Sequence, residues 1–236
     1  MKTVKDIFNI DSNIEVKDIK INSKAVNPGD IFVCVSGVNF DRHDFIDEAV
    51  TNGASAIVVS KDIKRDDVIV VKVDDTDEEM PKIARKLYDY HEGDFKLFGV
   101  TGTDGKTSTA IILSTLIGND ICGYIGTNGY SCSKFEKETH NTTPDADLMY
   151  KYFKELKEAG CKYIVMEVSS EASFRKRLRN LYFDALILTN VTRDHLNVHK
   201  TLENYIECKK EIFHHLKEDG ISILNKDDKL YNEFKK

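Results

Sequence analysis

Gly99-Val100-Thr101-Gly102-Thr103-Asp104-Gly105-Lys106-Thr107-Ser108 decides how this chain is read. An apolar run from Phe95 to Val100 precedes the glycines and reads as a strand. A second apolar run, Ala110 to Ile117, follows them and reads as a helix. Strand, glycine loop, Gly-Lys-Thr and helix together form a cradle for a nucleoside triphosphate. Backbone N–H groups surround the phosphates, the helix N-terminus adds positive potential, the lysine reaches the outer phosphates, and the threonine hydroxyl ligates magnesium. The common form of this loop carries a glycine five positions before that of Gly-Lys-Thr. That position is Val100, and the glycines stand instead at 99, 102 and 105. The alternative is a glycine turn with a surface lysine; the Lys-Thr pair at the helix start, where a phosphate would lie, favours the nucleotide site.

The chain around this loop has 236 residues, room for one large or two small domains, and 41% of them are hydrophobic, enough for ordinary packed cores. A formal net charge of −6 and the lack of a long basic block disfavour nucleic acid as a partner. The short basic cluster from Arg175 to Arg179 reads as a solvated helix face or a small-anion site. Five cysteines (34, 122, 132, 161 and 208) form no Cys-x-x-Cys pair, which fits a reducing compartment. The N-terminus lacks the apolar stretch of a signal peptide, and no apolar run approaches the ~20 residues that cross a bilayer. The expected location is the cytoplasm, with no membrane contact.

Two domains are expected. In residues 1–93, strands are read near Ile19–Ile21, Ile31–Val35, Ala56–Val59 and Val68–Val73, with helices at Phe45–Thr51 and about 78–90. The polar break His91-Glu92-Gly93-Asp94 sets the boundary. From 94 to 236 strand and helix alternate: strands at Phe95–Thr101, Ile121–Ile125, Tyr163–Val168, Ala185–Thr189 and Ile221–Leu224, helices at about 106–117, 145–159, 171–179, 201–217 and 227–235. Such alternation predicts an α/β fold, a small α/β domain followed by a mostly parallel sheet domain, with ligands at the carboxyl ends of the strands.

Glu167 interrupts the apolar strand Tyr163–Val168 near that end, a costly position for a charge without a partner. A magnesium ion near the Thr107 hydroxyl would be one partner; a strand-edge glutamate in solvent or in a salt bridge is the other reading. Asp194 and His195 fall in the loop after the next strand. Lys209 and Lys210 are neighbours on a helix, where lysines are usually solvated. Asn141-Thr142-Thr143-Pro144-Asp145 reads as a helix entry with hydroxyls for capping.

Taken in order and spacing, Thr101 to Thr107, Asn141 to Pro144, Glu167-Val168-Ser169-Ser170 and Thr189-Asn190 through Asp194-His195-Leu196, followed by Lys209, resemble the motifs of the Mur ligases. The nearest type is the MurE type, which adds the third residue of the peptidoglycan stem to a UDP-N-acetylmuramoyl-dipeptide. Asn22-Ser23-Lys24 and Pro28-Gly29-Asp30-Ile31-Phe32 resemble a segment of the family's first domain, so the resemblance covers the whole chain. It implies ATP-dependent amide-bond formation through an acyl phosphate, with ATP and Mg2+ as cofactors and diaminopimelate or lysine as the incoming amino acid. Residues 1–93 would be the UDP-muramoyl-binding domain and residues 94–236 the ATP-binding one.

By position, Gly102, Thr103, Gly105, Lys106, Thr107 and Ser108 would hold ATP. Thr107, Glu167, His195 and Lys209, the last as a carbamate, would hold magnesium. Ser23 and Asn39 would contact the uridine diphosphate, and Thr142, Thr143, Ser169 and Arg177 the muramoyl-peptide. Lys106, Glu167, His195 and Lys209 are the expected catalytic set. Asp104 stands where the family usually has Asn, Asn22 and Lys24 replace Asp and Arg, and Glu171 replaces a frequent His. The chain ends at Lys236, where family members continue, so it reads as an incomplete ligase with weak or no catalysis of its own. Another Mur or folylpolyglutamate-type ligase, or a non-catalytic nucleotide-binding module, are the alternatives. The oligomeric state is not legible.

Overall fold

A computed structural model describes residues 2–35, 41–194 and 196–235. Two of the expected site residues, Asn39 and His195, lie outside them. The chain divides into two compact units, Met1–Tyr90 and His91–Lys236.

In the first unit, β1 (Lys2–Thr3), α1 (Val4–Phe8) and β2 (Glu15–Val16) form a small N-terminal cap, with β1 antiparallel to β2. Next come β3 (Ile19–Lys20), β4 (Ile31–Val33), α2 (Ile46–Thr51), β5 (Ala56–Val59), β6 (Ile69–Lys72) and α3 (Thr76–Leu87). The strands β3 to β6 are parallel and lie in sequence order. β4 and β5 are buried on both faces, which explains their unbroken apolar runs. Asp75 starts α3 by accepting hydrogen bonds from the N–H groups of Asp77 (2.8 Å) and Glu78 (3.1 Å). Met80, Ile83, Ala84 and Leu87 form the buried stripe of that helix.

The second unit runs β7 (Lys96–Thr101), α4 (Lys106–Ile117), β8 (Cys122–Gly126), β9 (Gly129–Cys132), β10 (Phe135–Lys137), α5 (Ala146–Glu158), β11 (Tyr163–Glu167), α6 (Ser170–Phe174), β12 (Phe183–Leu188), α7 (Leu196–His199), α8 (Leu202–Phe213), β13 (Leu216–Leu224) and α9 (Tyr231–Phe234). Its sheet has the order β10-β9-β8-β11-β7-β12-β13. The five strands from β8 to β13 in that order are parallel, and β9 and β10 extend the edge as an antiparallel hairpin. The α/β expectation therefore holds. Val100, Ala110, Cys122, Tyr124 and Val165 pack α4 onto the sheet centre.

Several elements differ from the sequence reading. The hairpin β9–β10 was not anticipated. The helix expected over 171–179 stops at Phe174, because Lys176 turns left-handed (φ 57°) and Arg177 N–H bonds back to the carbonyl of Ala172 (2.8 Å). The helix expected over 201–217 stops at Phe213, where His214 and His215 close onto the carbonyls of Glu211 and Ile212. Leu216 then pairs with Phe183, and β13 starts there rather than at Ile221. The final helix shrinks to Tyr231–Phe234 because Asp228 captures the N–H groups of Val191 (2.7 Å) and Leu230 (2.8 Å) in a turn. Among the described residues no helix is long and apolar enough to cross a membrane, and the five cysteines are free thiols.

Candidate active site

The carboxyl ends of β8, β11, β7 and β12 lie side by side, and the chain leaves each through a loop on the same edge of the sheet. The loop after β7 is shaped by the end of β12. Asn190 accepts the Thr103 N–H through its carbonyl (2.9 Å) and the Asp104 N–H through Oδ1 (3.0 Å). The Asp104 carbonyl accepts in turn from Thr189 Oγ1 (2.6 Å) and Asn190 Nδ2 (3.0 Å). Thr103 Oγ1 accepts from Thr192 N–H (2.9 Å) and meets the Tyr205 hydroxyl at 3.0 Å. Asp104 thus contributes its backbone to the loop and is itself exposed, which accommodates a carboxylate at this position. Gly102 has φ 150°, and a Cβ there would lie 1.8 Å from Thr189 Oγ1, so no other residue fits between the loop and its clasp.

The first-turn N–H groups of Lys106, Thr107 and Ser108 have no acceptor within their helix, and all three residues line the hollow beside the loop. Lys106 Nζ donates to the carbonyls of Gly102 (3.0 Å) and Thr103 (2.8 Å). Burial lowers its pKa, opposed by the carboxylates of Glu167, Asp104 and Asp194.

Glu167 is fully buried on an interior strand. Neither a solvated strand edge nor a salt bridge accounts for it; its charge is met by hydrogen-bond donors. Oε1 accepts from Tyr124 OH (2.5 Å) and Thr127 N–H (2.9 Å), and Oε2 from Thr107 Oγ1 (2.9 Å) and Thr127 Oγ1 (3.2 Å). Of the two adjacent lysines on α8, Lys210 is the solvated one and pairs with Glu207 and Glu233. Lys209 is 1% exposed, with Nζ 4.7 Å from the centre of the Tyr205 ring. Burial pushes its pKa down to about 7, and the neighbouring Lys106 charge acts in the same direction.

A cavity of about 530 Å³ joins these groups. Gly102, Thr103, Gly105, Lys106, Thr107 and Ser108 line it, as do Thr142, Glu167, Ser169, Arg177 and Lys209. Ser169 caps α6 by accepting the Ala172 N–H (3.1 Å). Arg177 donates to the Thr143 carbonyl (3.1 Å) and pairs with Asp145 (2.6 Å). Thr143 does not line the cavity. Its hydroxyl is fully buried, donates to the carbonyl of Glu167 (3.0 Å) and accepts the Ser169 N–H (2.9 Å), so it ties the segment before α5 to the end of β11 instead of serving as a simple cap. Ser23 belongs to the first unit, beside a hollow of about 300 Å³ lined by Asn22, Lys24, Phe32, Arg42 and Phe45 among others; its hydroxyl donates to Glu48 Oε2 (2.5 Å). Asn22 accepts the Lys24 N–H (3.1 Å) and so shapes the turn that carries Ser23.

Tyr124, Thr127, Tyr205 and His199 were not singled out in the sequence. His199 Nε2 lies 3.0 Å from Ser170 Oγ, and its ring sits between those of Phe174 and Tyr205. Only the helical spacing of Tyr205, Lys209 and Ile212 carried a signal, since it places the lysine on the apolar face of α8.

A glycine loop between a parallel strand and a helix, with a buried carboxylate from the neighbouring strand beside its threonine, is an α/β arrangement suited to a phosphate group. Family models agree with that class: "Mur ligase middle domain" matches residues 100–236 and "Mur ligase family, catalytic domain" matches residues 15–92. The chain belongs to the Mur ligase family. It is 37% identical over 238 residues to the UDP-N-acetylmuramoyl-L-alanyl-D-glutamate–2,6-diaminopimelate ligase of Fusobacterium nucleatum, covering 99% of this chain and 48% of that protein. It is 37% identical to the ligase of the same name from Bacteroides thetaiotaomicron, covering 93% and 46%. Among solved structures, a UDP-N-acetylmuramoyl-L-alanyl-D-glutamate–2,6-diaminopimelate ligase superposes with a TM-score of 0.79 at 23% identity, covering 99% of this chain and 49% of that one. The MurF ligase from Thermotoga maritima in complex with ADP superposes at 0.63 with 28% identity, covering 94% and 49%. The chain therefore spans about half the length of the curated relatives it matches.

Proposed function

We propose that this chain carries the ATP site and the UDP-muramoyl-peptide site of a ligase that joins 2,6-diaminopimelate to UDP-N-acetylmuramoyl-L-Ala-D-Glu. The observation that carries the reading is the single cavity that unites Lys106, Thr107, Glu167 and Lys209 with Thr142, Ser169 and Arg177. The names of relatives at 37% identity favour the dipeptide-adding type and diaminopimelate over lysine. In this reading residues 1–93 bind the uridine diphosphate, with Ser23 and Asn39 at the contact, and residues 94–236 bind ATP.

In the proposed reaction the dipeptide's terminal carboxylate attacks the γ-phosphorus of ATP, giving an acyl phosphate and ADP. The amine then attacks the acyl carbon and phosphate leaves. The physical obstacle is an anion approaching a polyanion. Lys106 would turn from its two loop carbonyls to the outer phosphates and offset that repulsion. The amides of the first turn of α4 hold the phosphates in place, and Arg177 offers a guanidinium fork to a substrate carboxylate.

The donor set suits Mg2+. A hydroxyl and a carboxylate oxygen lie 2.9 Å apart at Thr107 and Glu167, both hard ligands. No group of three or more His, Cys, Asp or Glu capable of holding a metal occurs among the described residues, so nucleotide oxygens and water would complete the coordination. When bound, Mg2+ screens the phosphate charge and stabilises the transferring group. By the family resemblance His195 and a carbamate on Lys209 would hold a second ion. A pKa near 7 suits that modification: the neutral amine attacks CO2, its proton leaves to solvent, and the product is an anion.

Calorimetry of the chain with ADP and Mg2+, repeated with Lys106→Ala, tests the reading. Saturable, Mg2+-dependent binding lost in the variant is expected. Wild-type protein that ignores ADP would remove the nucleotide site.

A further inference from the structure

The two oxygens of Glu167 have different kinds of partner. Oε1 faces two fixed donors: the backbone N–H of Thr127 at 2.9 Å and the hydroxyl of Tyr124 at 2.5 Å. The Tyr124 ring is buried in the core beneath α4, and its oxygen accepts the Asn128 N–H at 3.5 Å, which directs the phenolic proton to the carboxylate. A carboxylate oxygen accepts about two hydrogen bonds, so Oε1 is saturated. Among the described residues, Oε2 takes its hydrogen bonds from the hydroxyls of Thr107 (2.9 Å) and Thr127 (3.2 Å), which can rotate and present lone pairs instead. The backbone leaves room for this arrangement. A Cβ on Gly126 would lie 2.2 Å from Oε1 and 2.3 Å from the Tyr124 hydroxyl, so the tyrosine–glutamate contact occupies the space a side chain would take.

We propose that Tyr124 is a positioning residue that blocks Oε1, keeps Glu167 a one-oxygen ligand through Oε2, and thereby tilts the nucleotide site toward Mg2+ over Ca2+. The chemistry follows from the ions. Mg2+ takes six oxygens at short, near-ideal octahedral distances and accepts carboxylates by one oxygen. Ca2+ takes six to eight, often with both oxygens of one carboxylate. With Oε1 held by a phenol and an amide, the second mode is closed. Hydrogen bonds of this outer kind typically alter metal affinity ~10–100-fold when removed. The Thr127 amide remains when the phenol is lost, so the lower end of that range applies.

The inference rests on the nucleotide-site reading, and one titration separates the two. ADP binding to the whole chain is measured against increasing Mg2+ alone and Ca2+ alone, for wild type, Tyr124→Phe and Tyr130→Phe. The last removes another phenol–carboxylate bond, Tyr130 to Glu155 at 2.9 Å, neither partner of which lines the cavity. The expected result is that the preference for Mg2+ over Ca2+ falls roughly tenfold in Tyr124→Phe and stays at the wild-type value in Tyr130→Phe. An unchanged preference in Tyr124→Phe, with ADP still bound, overturns the role of Tyr124 alone. No ADP binding by the wild type with either ion overturns the nucleotide site and this inference with it. A crystal structure of the wild type with ADP and Mg2+ decides without any variant: Glu167 bound through Oε2 alone supports the proposal, and coordination through both oxygens overturns it.

Discussion

Replacing Lys209 by methionine should stabilise the protein at neutral and mildly acidic pH. Lys209 is 1% exposed, and the Asp194 charge offsets only part of the cost of its burial. Its folded pKa of about 7 stands well below the ordinary 10.5. Below about pH 7 the ammonium is charged in both the folded and unfolded chains, and the folded state carries the full cost of burying it. At ~1.36 kcal/mol per pH unit, that displacement amounts to at most about 5 kcal/mol. Between about 7 and 10.5 the folded chain releases the proton while the unfolded chain keeps it. The unfolded state then binds more protons, so wild-type stability rises with pH across this window. Methionine has a similar unbranched shape and no charge, so its stability lacks that slope. Urea unfolding followed by circular dichroism in CO2-free buffers should show Lys209→Met the more stable by roughly 3–5 kcal/mol near pH 6, the margin closing as the pH approaches 10. Parallel pH curves for the two proteins would refute a buried amine whose charged form the fold disfavours. They would also remove the chemical basis for a neutral lysine ready to take up CO2.

Three further outcomes are expected. Lys106→Ala in a complete enzyme should lower turnover by ~10²–10³ without unfolding the protein, measured by phosphate release; near-normal rates would end the phosphate-loop assignment. Gly102→Ala should sharply weaken ADP binding, since its methyl would meet Thr189 Oγ1 at 1.8 Å and strained backbone of this kind costs about 1–3 kcal/mol; calorimetry with undiminished affinity would contradict the loop geometry. Thr201→Ala removes the hydroxyl that accepts the Asn204 N–H at 3.2 Å and should destabilise the second unit by about 1 kcal/mol in urea unfolding, with no change taken as failure of the cap.

Much of the second unit could be read directly because its strands are long apolar runs and its helices have clear starts. The glycine loop and Glu167 stood out because each breaks a local rule: glycines crowd a helix entry, and a carboxylate sits in an interior strand. The hairpin β9–β10 escaped notice because Gly129–Lys137 is short, glycine-bearing and partly polar, and antiparallel strands at a sheet margin need only one buried face. The end of α6 depends on the left-handed turn at Lys176, and lysine carries no local preference for it. Lys209 lay within reach of sequence alone, as its spacing from Tyr205 and Ile212 puts it on the inner face of α8. Tyr124 did not, because its partner is a residue 43 positions away and only the pairing of β8 with β11 brings them together.

The clasp at Thr189–Asn190 means that the glycine loop is not a self-contained cartridge. Its curvature is imposed by the neighbouring strand of the sheet, which enters the chain more than eighty residues later. Transplanting residues 99–108 into a foreign scaffold would carry the letters of the motif without its form. Any drift of β12 against β7 would be felt in the loop as a change in pocket shape.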